Sequence, residues 1–254
     1  MNDKSYEIFS KRRKSFERSL EKSLAALDRS HYPPSLLKSM ELILNPPRKP
    51  VRGLPLLVEC LAAEQGSKPR GQLPVAAEVL LRGFLLLAEM GLDRSCRPET
   101  ALGQSLGKDF SQAHLLLTAD TMLTWPMELV AGETDSAGGS LVGIFSRLLG
   151  ADKVLDGLDS APPDLEGLLS IEPVEVLARA LTAGRDELGK VAVTAARWIY
   201  LREIESWFGV TLSSASHEMQ MIENRLDEAA DDSSSAPAMK QVASLISFLD
   251  KSAV

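Results

Sequence analysis

Residues 83–94 read GFLLLAEMGLDR. An apolar helical run reaches Glu89, is punctuated by Gly91, and offers a second carboxylate at Asp93, four residues after the first. A second acidic stretch, MQMIENRLDEAAD (219–231), carries Glu223, Asn224 and Asp227. Glu223 and Asp227 stand four apart, on one face of a helix. Basic side chains gather at RKPVRG (48–53) as Arg48, Lys49 and Arg52, and again at Arg94 and Arg97. Carboxylates sharing a helix face suit hard divalent cations. Arg and Lys suit phosphate oxygens. The plain reading of the second acidic stretch is a solvated helix end, since Glu228, Asp231 and Asp232 follow. Carboxylates there oppose the helix dipole by only about 0.3–1 kcal/mol each, too little to decide between the readings.

Other chemistry has less to stand on. His31, His114 and His217 are isolated in sequence, without HExxH or a paired cysteine, which argues against zinc. No serine sits in a nucleophile-elbow context. The glycines of GETDSAGG (132–139) lack the Gly-Lys-Ser/Thr of a phosphate loop. Trp125, Trp198 and Trp207 read as core, and Cys60, inside LVECLAA, reads as a buried free thiol. A net charge of −7 argues against nucleic acid as a partner. The cluster Lys11-Arg12-Arg13-Lys14 lies among Glu7, Glu17 and Glu21 and reads as a solvated helix face. No apolar run approaches the ~20 residues of a membrane span, and the N-terminus lacks a signal-peptide core. The expectation is a cytoplasmic protein.

Helices must position these groups. Leu and Ala dominate, aromatic residues make up 5% of the chain, and alternating β-branched runs are nearly absent. Phe9, Phe16, Leu20, Leu24 and Leu27 mark the buried stripe of a first helix. Pro33-Pro34 stops the chain, and Ser35 is the expected cap of a helix ending at Asn45-Pro46-Pro47. Further helices are expected from about Pro55 to Gln65, over 74–90, and over 111–131 with Pro126 kinking the last. Residues 92–110 read as an irregular or short-helical connection. Helices near 140–149, 173–183, 186–208 and 213–230 follow, and KQVASLISFL supplies a final one. The pattern is an all-α bundle with short loops.

In this order the segments resemble the trans-prenyltransferases, the polyprenyl diphosphate synthase family, over roughly residues 20–231. MELIL, the basic turn and PLLVECLAAEQG look like that family's first substrate-binding region. LPVAAEVLLRGFLLLAE looks like its next helix, with Glu78 and Leu85 in place. LLLTADTMLTWPMELVA (115–131) resembles its Leu-Ala-Gly-Asp helix, with Asp120 on the aspartate. MQMIENRLDEAAD looks like the segment of its second aspartate-rich motif. The resemblance implies an isoprenoid-synthase-type bundle around a central cavity, formed by residues 1–254 as one domain. Residues 1–30 would be its N-terminal helix and 238–254 a shortened C-terminal helix.

In the family, magnesium held by carboxylates of two facing helices ionises an allylic diphosphate, and Lys and Arg bind the second diphosphate. The resemblance makes Glu89, Asp93, Glu223, Asn224 and Asp227 the metal candidates and implies no organic cofactor. It makes Arg48, Lys49, Arg52, Arg94 and Arg97 the candidates for substrate binding. The chain departs from the pattern at each point. Ala88 and Glu89 replace two aspartates, Pro46 and Pro47 replace loop glycines, and the family's Lys-bearing loop after the second motif is missing. The expectation is a degenerate member with little or no prenyl transfer, binding isoprenoids or serving as a non-catalytic partner subunit. The alternatives are an active transferase with a reduced metal set and a structural helical interaction protein. Helices 74–90 and 111–131, apolar on most faces, are expected to form a homodimer, exchanging into a heterodimer with an active synthase.

Overall fold

The apolar run beginning at Leu73 carries three charges, Glu78, Arg82 and Glu89, and it becomes the innermost helix. A computed structural model of the chain describes residues 3–27, 31–46, 50–64, 72–91, 102–131, 186–228 and 236–252, together with residues 175, 178 and 182. Among the described residues the regular structure is helical, with no strand. The central helix, numbered α4 with the others in chain order over the described residues, spans Leu73–Gly91. It is buried on nearly every face. A helix apolar all round is either central or shared with a partner, and here it is central.

Its closest neighbour is α6 (Gln112–Val130). Gly83 makes the approach possible, since a Cβ there would lie 2.9 Å from the Met122 Cβ. Ser111 caps α6, its side chain accepting from the His114 N–H at 3.2 Å, and Pro126 lies inside the helix rather than ending it.

Around α4 also pack α1 (Asp3–Ala25), α2 (Pro34–Leu44), α3 (Gly53–Glu64) and the short α5 (Leu102–Leu106). Against α3 also pack α7 (Asp186–Phe208) and α9 (Ala236–Ser252), and α8 (Ser213–Glu228) rests on α7. Gly53 lets α3 begin against that layer, since a Cβ would meet Ile199 at 2.7 Å and Leu249 at 2.9 Å. The Phe9 and Phe248 rings stack at 5.7 Å between α1 and α9.

The expected stripe on α1 holds: Phe9, Phe16, Leu20 and Leu27 are buried, with Leu24 half-buried. Cys60 and all three tryptophans are buried as well. Two local expectations change. Ser35 does not cap α2, which starts at Pro34 with Pro33 in the cap position and no side-chain cap. Proline has no N–H to satisfy and its φ is already helical, so the first turn forms without one. The basic face of α1 is not wholly solvated either. Lys11 is exposed beside Glu7, whereas the Arg13 guanidinium turns inward and donates to the Val51 carbonyl at 2.5 Å.

The helix expected at 140–149, and all of that at 173–183 except residues 175, 178 and 182, fall outside the described residues. Among the described residues no helix is long and apolar enough to cross a membrane.

Candidate functional site

The charges of α4 sit in a chain of buried ion pairs. Arg52 immediately precedes α3 with a φ of 58°, a left-handed conformation that costs a non-glycine residue about 1 kcal/mol or more. Its guanidinium explains why the backbone is held there. It donates to Glu78 Oε1 at 2.6 Å, to the Leu44 carbonyl and to Asn45 Oδ1 at 3.2 Å, fastening the end of α2 to α4. Glu78 Oε1 also accepts from Arg82 Nε at 2.9 Å, one helical turn away. Arg82 then reaches across to α7 and donates to Glu203 Oε2 at 2.6 Å. The same oxygen accepts from the Val51 N–H at 3.3 Å.

Two cations alternate with two carboxylates, and none of the four side chains is more than 3% exposed. Burial alone would push the Glu78 carboxyl up, but Arg82 and Arg52 beside it hold it below the usual carboxylate range. Burial would likewise lower Arg82, and Glu203 and Glu78 reverse that. Glu78 and Arg82 therefore stay charged. Three of its atoms, Glu78 Oε2, Glu203 Oε1 and Arg52 Nε, are buried with no hydrogen-bond partner among the described residues. Part of the desolvation cost is thus uncompensated. Aromatic faces supply some cover: Arg52 lies 5.8 Å from the Phe16 ring centre and Arg82 lies 5.9 Å from that of Trp207.

Trp207 links this ladder to the end of α4. Its indole N–H donates to Glu89 Oε2 at 2.9 Å. The same oxygen accepts from the Gly103 N–H at 2.8 Å, and Glu89 Oε1 accepts from the Gln104 N–H at 2.8 Å. Those two amides belong to the first turn of α5, where helix donors lack intrahelical partners. Glu89 therefore caps α5 from a different helix. Gly103 is required for this approach, because a Cβ would fall 2.6 Å from the carboxylate.

No family model matches the chain, and no curated protein matches it. The geometry alone has to say what the predicted site residues do.

Glu89 is fully buried, and among the described residues its oxygens accept from three N–H donors. Ala88 beside it is also buried. Arg52 serves the interior. Glu223 and Asn224 are exposed on α8, which packs on α7. Asp227 lies in the same helix, its side chain outside what the structure describes. Arg48, Lys49, Asp93, Arg94 and Arg97 lie outside the described residues. Among the described residues no group of three or more His, Cys, Asp or Glu side chains is placed to hold a metal ion.

Sequence reasoning gave no site role to Arg82 or Glu203, and read Trp207 only as core. The signal for the first was present. A charge inside an almost wholly apolar helix must find a partner.

His114, isolated in sequence, has partners in the fold. His114 Nε2 lies 3.1 Å from Ser39 Oγ, and Thr118 Oγ1 lies 2.8 Å from the same oxygen. Ser39 also lies 2.8 Å from the Leu36 carbonyl, which can only accept. Each hydroxyl has one proton and an accept-only neighbour, the Leu36 carbonyl for Ser39 and the His114 carbonyl at 2.9 Å for Thr118, and either can donate across the contact between them. Ser39 is fully buried, so the arrangement fastens α2 to α6 and presents no nucleophile.

Proposed function

We propose that this chain is a non-catalytic helical subunit of the isoprenoid-synthase type, acting in the cytoplasm as an isoprenoid-binding protein or as the partner of an active prenyl synthase. The observation that carries this reading is the state of Glu89. The carboxylate standing where the resemblance calls for a metal-binding aspartate accepts from Gly103, Gln104 and Trp207. Ala88 next to it offers no ligand atom. Arg52, the described member of the basic set, is likewise engaged with Glu78 and the end of α2. Residues that would clamp a diphosphate here hold helices together. Any magnesium would have to rely on Asp93, Glu223, Asn224 and Asp227 without Glu89.

The deciding assay incubates the purified protein with magnesium, allylic diphosphates and isopentenyl diphosphate. The expected result is no chain elongation, with binding of an isoprenoid diphosphate or a change in the products of an added synthase. Turnover by the protein alone would favour an active transferase with a reduced metal set.

A structural interaction protein is the second reading, favoured by Leu116 and Leu117, which are 49% and 62% exposed on α6. Pairing through this face of α6 would make a homodimer, exchanging with a synthase subunit. Light scattering of the wild type and of Leu117→Glu tests it. A monomer in both would remove the homodimer, and failure to co-purify with a prenyl synthase would remove the exchange.

A further inference from the structure

Among the described residues, the ion ladder uses one oxygen of each of its carboxylates. Glu78 Oε1 accepts from Arg52 Nη1 at 2.6 Å and from Arg82 Nε at 2.9 Å. Glu203 Oε2 accepts from Arg82 Nη2 at 2.6 Å and from the Val51 N–H at 3.3 Å. The second oxygens, Glu78 Oε2 and Glu203 Oε1, are buried without a hydrogen-bond partner among the described residues. Arg52 Nε, a donor, is in the same state. Both carboxylates are held by one guanidinium, that of Arg82, so their second oxygens belong to one small region. Arg52 joins that region through its bond to Glu78.

The packing around the region is looser than elsewhere in the core. α4 packs most closely on α6 and α7 on α8, and long side chains span from α4 to α7. A polar site with room for one molecule is where folded proteins keep internal water.

Charge and hydrogen-bonding chemistry narrow the occupant. The two guanidiniums balance the two carboxylates, and the Arg13 guanidinium on the Val51 carbonyl adds a further positive charge. A bound cation would increase that buried charge, and a bound anion would face carboxylate oxygens. The occupant must therefore be neutral. It must also donate to two carboxylate oxygens and accept from Arg52 Nε. Water does both, and a buried water makes about three hydrogen bonds of this kind.

We propose that the ladder encloses a structural water site between α4 and α7, in which water donates to Glu78 Oε2 and Glu203 Oε1 and accepts from Arg52 Nε.

The test starts from oxygen-17 magnetic relaxation dispersion of the full wild-type chain, which counts waters held inside for longer than the protein tumbles. The same count is made on Glu203→Met, which keeps a long side chain and removes both oxygens. The expected result is at least one long-lived water in the wild type and the loss of at least one in the variant. A circular dichroism spectrum checks that Glu203→Met keeps its fold. A high-resolution crystal structure of the wild type should place a water about 2.5–3.2 Å from both Glu78 Oε2 and Glu203 Oε1. No long-lived water in the wild type, or an equal count in folded Glu203→Met, would overturn the proposal. So would electron density that leaves these oxygens bare, pairs them with protein donors, or shows a coordinated ion between them. If Glu203→Met does not fold, the two wild-type measurements decide alone. None of these results depends on whether the chain binds isoprenoids or joins a synthase.

Discussion

Trp207 on α7 donates its indole N–H to Glu89 on α4 at 2.9 Å, across 118 positions of sequence. The contact closes a polar seam that begins at Arg52 and runs through Glu78, Arg82 and Glu203. α4 packs most closely on α6, and α7 on α8. Between α4 and α7 the connection is made by these long side chains. Glu89 is the one carboxylate in the seam that also orders a neighbouring helix.

Removing the Glu89 carboxylate should therefore act on stability first. Glu89→Ala leaves the Gly103, Gln104 and Trp207 donors without this acceptor, and each buried orphan costs about 1–3 kcal/mol. Urea unfolding should show a loss well above that of Trp207→Phe, which removes one of these three bonds among the described residues. Gly103→Ala should mimic part of the defect, since its Cβ would stand 2.6 Å from the Glu89 carboxylate. A Glu89→Ala protein as stable as wild type would show that the carboxylate does not hold α5.

The ion ladder predicts an asymmetry between breaking a pair and replacing it. Glu203→Ala strips Arg82 of one of its two carboxylates inside the core and should cost roughly 3–5 kcal/mol. The double variant Arg82→Met with Glu203→Leu removes both charges and fills the gap with apolar atoms. It should recover most of that loss, because buried ion pairs repay their desolvation poorly. If the double variant is as unstable as the single, the ladder contributes net stability and the desolvation argument fails.

Much of the fold was legible because helical periodicity is local. The helix expected over 186–208 is Asp186–Phe208, and that over 74–90 runs one residue further at each end. The run in which only Glu78, Arg82 and Glu89 are charged left α4 either central or shared with a partner, and the expectation of a dimer favoured sharing, whereas burial makes it central. The seam was not. Arg82 finds Glu203 at a separation of 121 residues, and the Glu89 partners include two backbone amides, which no side-chain pattern announces. Family spacing made Glu89 a ligand candidate and gave no hint of Gly103, whose role depends on a close approach set by the fold. Arg52 was singled out for its charge, yet its use is internal because the left-handed turn aims it at Glu78 rather than at solvent.

Acid should weaken the protein partly through Glu78. Burial pushes its carboxyl up and Arg82 and Arg52 more than reverse this, so its folded value lies below the unfolded one of about 4.3. A depressed folded value gives stability that is complete above the unfolded value and is lost as pH falls through the folded one. Glu78→Gln should therefore be less stable than wild type at pH 7, and the gap should narrow steadily from pH 5 to pH 3. A gap that stays constant over that range would mean that Glu78 gains nothing from its two arginines.

Tyr200 predicts the opposite behaviour at high pH. Its hydroxyl is buried in α7 with no hydrogen-bond partner among the described residues, and burial alone pushes its ionisation above the ordinary range. An unsatisfied buried hydroxyl is a net cost, so Tyr200→Phe should raise stability by about 1 kcal/mol at neutral pH. For a chain of this size that is a rise in melting temperature of about 2–4 °C. A raised folded value also means that the unfolded chain releases the proton first. The stability of the tyrosine protein is then complete below the unfolded value of about 10 and falls as pH rises through it. Phenylalanine has no such proton to lose, so its advantage should widen between pH 9 and pH 11. Thermal unfolding of the two proteins across that interval reads both effects. A Tyr200→Phe protein that melts lower than wild type at pH 7 would show that the hydroxyl makes a favourable bond.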